Sequence, residues 1–169
     1  MSNDHLGLDH VPLGASAVAV ATQRLAQMVR ADLGEVLAVR GDLSLLEWRI
    51  CVALAERGPV PQKEIVSFCR MQQAQVSRAL AVLQSRRLIH VEQGSKDRRS
   101  KLFHLTPEGR ALFEKNLPDV ERFCATIDDA LTPQERSQFI DMCERIASAC
   151  HDKKPAGTLP PTARIKQVT

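Results

Sequence analysis

Residues 61–105 follow a succession that few folds accommodate: a short helix, a turn, a longer helix without acids, and two short strands around a basic loop. Pro61 suits the first turn of the short helix, expected to run to about Val66, because proline lacks the amide hydrogen that would go unpaired there. A turn around Cys69 to Gln72 leads to a helix expected over roughly 73–85. On a helical wheel Val76, Ala79, Leu80 and Leu83 gather on one side. Ala74, Arg78, Ala81 and Ser85 fall opposite, flanked by Gln75 and Ser77. Exposed helix faces usually carry Glu and Lys pairs, yet no acid occurs between Val66 and His90. Residues 88–92 and 101–105 read as strands, and the Gly, Ser and charged residues of 93–100 as the hairpin loop between them.

The formal net charge of +3 hides a sharp division. Residues 60–101 hold nine Lys or Arg against three acids, a local net of +6. The rest of the chain has 14 basic and 17 acidic residues, a net of −3. A basic centre within an acidic remainder is the electrostatic footprint of a nucleic-acid site. Small residues on the outer helix face permit close approach to a major groove. Gln can bond an adenine edge in bidentate fashion, Arg can do so to guanine, and Ser can reach a base or phosphate. Arginine at a hairpin tip can enter the narrow, strongly negative minor groove. Asp97 between basic neighbours can pair with one of them and fix its direction.

The flanks are helical. Val18, Leu25, Val29, Leu33, Val36 and Leu37 recur at helical spacing between Ala15 and about Val39. Ser44 and Glu47 form a capping box for a helix to about Glu56, ended by Arg57-Gly58-Pro59. Thr106-Pro107 restarts a helix expected to reach about Ala130 with a bend near Pro118, and Thr132 with Glu135 starts a last helix to about Cys150. The organisation expected is an arm at 1–13, a helix at 14–42, a nucleic-acid-binding lobe at 43–106, further helices at 107–151, and a disordered tail at 152–169 rich in proline.

The run Gln75-Val76-Ser77-Arg78-Ala79-Leu80, then Arg87-Leu88-Ile89, Asp97-Arg98-Arg99-Ser100-Lys101 and Leu105-Thr106-Pro107-Glu108-Gly109 resembles the multiple antibiotic resistance regulator (MarR) family. The resemblance implies a mainly α fold with a small β-hairpin wing. Each subunit would be a six-helix winged helix-turn-helix, joined to a second in an interleaved homodimer through dimerisation helices at 14–42 and 107–151. It implies a transcription regulator, in most cases a repressor, that reads a pseudo-palindromic double-stranded operator with half-sites about one helical turn apart. By motif position it makes Gln75, Ser77 and Arg78 base or phosphate readers and Arg99 the minor-groove residue, with Asp97 orienting it; Gln73, Arg86, Arg98 and Lys101 are the further DNA-binding candidates of the same basic stretch. Such regulators respond to a small molecule, often an aromatic acid, and Met28, Trp48, Arg49 and Phe113 are the candidates to line that pocket.

Competing readings are weaker. The same fold could be a thiol-based redox repressor, with Cys69 beside Arg70 or Cys150 near the last helix end as sensor. It could also be a winged helix used only for protein contacts, although the excess charge sits on the elements that would face DNA. Five cysteines without CxxC spacing, and histidines without ligand spacing, give no metal site and no cofactor. No nucleophile or phosphate-loop signature points to an enzyme. The N-terminus lacks a signal-peptide pattern and no apolar run approaches the roughly 20 residues of a bilayer span, so a cytoplasmic protein is expected.

Overall fold

The structure is a computed structural model, and it describes residues 5–39, 43–93 and 101–151. Six helices and three short strands follow in order: α1 (Ala17–Val39), α2 (Leu45–Arg57), β1 (Val60–Pro61), α3 (Gln62–Cys69), α4 (Gln73–Ser85), β2 (Ile89–Gln93), β3 (Lys101–Leu105), α5 (Pro107–Asp129) and α6 (Pro133–His151). The chain divides into two compact units, residues 27–124 and residues 1–26 with 125–169, so α1 and α5 each contribute to both.

Unit 27–124 holds the core. Leu37 of α1, Ile50 and Leu54 of α2, Ile65 of α3 and Val76 and Leu83 of α4 are almost completely buried, and Ile89, Phe103 and Val120 join them. These are the periodic apolar positions of each helix, turned inward because their burial removes apolar surface from water. The sheet is antiparallel in the order β1-β3-β2, with Val60 opposite Phe103 and Ile89 opposite Leu105. The sequence suggested only the two hairpin strands. β1 is two residues long and exists through its pairing with β3, which no local pattern announces. Pro61 also sits one position earlier than expected: it is the extended N-cap of α3, and the helix runs on to Cys69 rather than Val66.

Helix starts obey local chemistry. The Ser44 hydroxyl accepts from the Glu47 amide at 3.3 Å, and the Glu47 carboxylate accepts from the Ser44 amide at 2.7 Å. The reciprocal pair satisfies two of the amides that a helix start leaves without partners. Ser44→Ala should therefore lower stability by about 1 kcal/mol and the unfolding midpoint by roughly 2–4 °C, read by calorimetry. An unchanged midpoint would deny the cap its role. Thr132 and Glu135 repeat the device at α6, and the Thr132 bonds hold the Glu135 carboxyl below its ordinary range.

The second unit is different in kind. No described residue of α6 is buried, and Val18, Ile127, Phe139, Ile140 and Met142 all lie exposed, Ile140 at 60%. Ahead of α1, the Arg24 guanidinium donates to the carbonyls of Leu6 (2.7 Å) and Gly7, which ties part of the N-terminal arm to the helix. The tail at 152–169 lies outside the described residues.

Candidate nucleic-acid interface

α3 and α4 form the helix-turn-helix. Arg70, which ends α3, takes a left-handed conformation at φ 50°, and the extended Gln72 then caps α4. Backbone of this hand turns the chain sharply, at a modest steric cost for a residue with a side chain. α4 is seated by Val76, Leu80 and Leu83, none more than 3% exposed, while Gln73, Ala74, Gln75, Arg78, Ala81 and Val82 face outward. That face presents amides, one guanidinium and small side chains, and has no carboxylate to repel a phosphate. It can donate to phosphate oxygens and to base edges without desolvating a buried charge.

Individual residues divide into several groups. Gln73, Gln75 and Arg78 are exposed, and Arg78 Nε donates back to the Ala74 carbonyl at 3.3 Å, which lays the side chain along the helix. Ser77 is half-buried and its hydroxyl accepts from Gln62 Nε2 at 2.5 Å, so it braces α3 against α4. Arg86 approaches the largely buried Glu47 carboxylate at 3.9 Å, at the start of α2. That contact offsets part of the cost of keeping Glu47 from water, while Arg86 itself stays exposed. Lys101 is exposed at the start of β3. Asp97, Arg98 and Arg99 lie outside the described residues. Lys63 and Arg70, which sequence reasoning did not assign to DNA, are exposed on α3 and in the turn beside α4.

Of the pocket candidates, Trp48 and Phe113 are brought together, their rings stacked with centroids 5.0 Å apart and 19° between planes. Trp48 is buried and Phe113 half-buried against the core, while Arg49 is half-buried and Met28 is exposed on α1. Cys69 is buried at the end of α3, and burial pushes its thiol up while Arg49 acts in the opposite direction. A raised thiol holds less reactive thiolate at neutral pH, which gives the redox reading no support at this residue. Burial, reinforced by Glu47, likewise pushes the Cys51 thiol up to about 12. Cys150 is exposed. No helix among the described residues is long and apolar enough to cross a membrane.

The MarR-family sequence profile matches residues 41–100, the stretch that carries α2, β1, α3, α4 and β2. No functionally curated protein matches the chain significantly. Among solved structures the chain is similar to BpsR of Bordetella bronchiseptica, whose DNA binding is regulated by 6-hydroxynicotinic acid. That match has 24% identity and a TM-score of 0.69 and covers 86% of this chain and 99% of that one. It is also similar to Sco3205, a MarR family transcriptional regulator of Streptomyces coelicolor in complex with DNA, at 20% identity and a TM-score of 0.72, over 82% of this chain and 91% of that one. PcaV of the same organism, in complex with its natural ligand, matches at 18% identity and a TM-score of 0.67, over 82% and 99%. At these identities the neighbours establish the fold, and the profile match falls on the segment that carries α3, α4 and β2. Through that segment the chain is similar to the MarR family, and it shares the fold of the MarR family regulator Sco3205.

Proposed function

We propose that this chain is a sequence-specific double-stranded DNA-binding transcription regulator that acts as a homodimer. The observation that carries the reading is α4, whose apolar side is locked into the core while its outer side offers Gln73, Gln75 and Arg78 with no acid among them. A rigidly seated helix with a small, donor-rich outer face fits a major groove. Gln73, Gln75 and Arg78 are the base or phosphate contacts, Lys101 supports the hairpin, and Arg98 and Arg99 reach the minor groove with Asp97 orienting Arg99. Ser77 and Arg86 contribute by holding α4 in place more than by reaching bases. The unit formed by 1–26 and 125–169 supports the homodimer, because apolar side chains left in water as an exposed set favour burial against a second copy. Two-fold symmetry then calls for a pseudo-palindromic operator.

The finer reading is a repressor released by a small aromatic acid. BpsR and PcaV, whose structures concern an aromatic acid and a natural ligand, support it, and Trp48, Phe113, Arg49 and Met28 are the residues to test first.

Arg78→Ala tests the central claim. The side chain is exposed, so the variant should keep its fold, and operator affinity in gel shifts should fall roughly 10–100-fold, equivalent to about 1–3 kcal/mol. Unchanged affinity would remove α4 from the interface.

A further inference from the structure

The antiparallel pairing of β2 with β3 does what sequence spacing did not: it brings two histidines and a carboxylate onto one face of the hairpin. His90 stands opposite His104 in the register, and Glu92 follows His90 by two residues. Residues two apart on a strand share a face, and so do directly opposed residues of neighbouring strands. The imidazoles stack with centroids 3.8 Å apart and 22° between planes. Glu92 Oε2 lies 3.3 Å from His104 Nε2, and one ligating atom from each of the three residues lies within 4.8 Å of the others. A tetrahedral zinc ion with ligands at about 2.0–2.2 Å needs donor atoms roughly 3.3–3.5 Å apart, so the spacing is within reach, and binding would turn the two imidazoles out of their stack until their lone pairs converge on the ion.

His104 Nε2 supplies a second, independent observation. The atom is shielded from solvent and makes no hydrogen bond among the described residues, although the Glu92 carboxylate lies close enough to pair with it were the imidazole protonated. A polar nitrogen kept from water without a partner is costly, and bonding to a cation would satisfy it. His90 and Glu92 are exposed, which leaves a path for an ion and room for water as a fourth ligand. Two imidazoles and one carboxylate suit borderline divalent ions of the zinc type better than the hard calcium or magnesium ions, which prefer all-oxygen shells.

We propose that His90, Glu92 and His104 form a binding site for a divalent transition-metal ion of the zinc class, bridging β2 and β3 at the stem of the hairpin. The site is independent of whether the hairpin meets DNA, since its direct readout is metal binding. Because both strands supply ligands, the ion would tie the stem together on the side where the chain enters residues 94–100.

The experiment is a titration of the full-length, reduced protein with Zn²⁺ by calorimetry, paired with Co²⁺ absorption spectra. One site per chain is expected to disappear in His104→Ala. The exposed Glu92→Gln keeps size and removes charge, and it should weaken the same site in a protein whose metal-free unfolding midpoint is unchanged. Loss of a ligand should cost about 100-fold or more in affinity, since losing even an outer-sphere partner costs roughly 10–100-fold. Cobalt at this site should show d–d bands without thiolate charge transfer, which separates it from binding by the free cysteines. Zinc affinity that is equal in the parent and both variants, a thiolate band in every occupied form, or no binding to the parent would each overturn the proposal.

Discussion

Gly109→Ala should lower the unfolding midpoint by roughly 5–10 °C, although alanine is the better helix former. Gly109 lies in the first turn of α5 and is buried. A methyl group there would stand 1.9 Å from the Leu88 carbonyl oxygen and 2.8 Å from the Leu88 carbonyl carbon. These are backbone atoms and cannot swing aside as a flexible side chain would. The same carbonyl accepts from the Thr106 amide at 3.0 Å, and the Leu88 amide donates to Leu83 at 3.0 Å, so the backbone at Leu88 is held from both sides. Thr106 adds a third tie, its hydroxyl donating to the Arg87 carbonyl at 2.8 Å and accepting from the Gly109 amide at 3.0 Å. Forcing α5 away from this junction costs about 3 kcal/mol or more, against about 1 kcal/mol gained in helix propensity. The net loss of about 2–3 kcal/mol gives the stated shift for a chain of this length. Gly34 is the control: a methyl group there meets nothing within 4 Å, so Gly34→Ala in α1 should hold or raise the midpoint. Equal midpoints for the parent and both variants would mean that the close approach of α5 to Leu88 does not exist in solution.

Gly109 also marks where the sequence stopped being legible. It was visible as part of Leu105-Thr106-Pro107-Glu108-Gly109, but the reason for a glycine at that position is a contact with a carbonyl on another element. Signals that act over three or four residues were readable: the Ser44–Glu47 and Thr132–Glu135 boxes, Thr106 at the start of α5, and the apolar side of α4. Interactions that close long loops were not. The bond from Gln62 to Ser77, across 15 positions, gives Ser77 a bracing contact that no local pattern shows. The approach of Arg86 to Glu47, far back on α2, is likewise a contact of the folded chain alone. His90 and His104 had no ligand spacing along the chain, because it is strand register that makes them neighbours. Each of these depends on the tertiary fold, and periodicity is blind to it.

Operator binding should weaken roughly 10³-fold when monovalent salt rises from about 50 to about 200 mM, the largest effect predicted for this chain. Lys63, Arg70, Arg78 and Lys101 are exposed on or around the proposed interface, within a stretch of +6 local charge. If about three of them per protomer reach phosphates, a dimer makes about six contacts and the slope of log affinity against log salt is about −5. A fourfold rise in salt then gives the stated loss, because each contact forfeits the gain from releasing a condensed counterion. The slope also tells what Arg78 does. If it holds a phosphate, Arg78→Ala should flatten the slope by about 1 for each protomer and weaken all sequences alike. If it reads a base, the slope should stay near its parent value while discrimination between operator and random DNA falls. Fluorescence anisotropy over a salt series with both DNAs separates the two. A slope near zero for the parent protein would contradict phosphate-driven binding, and the basic stretch at 60–101 would then have to be explained by contacts with another protein.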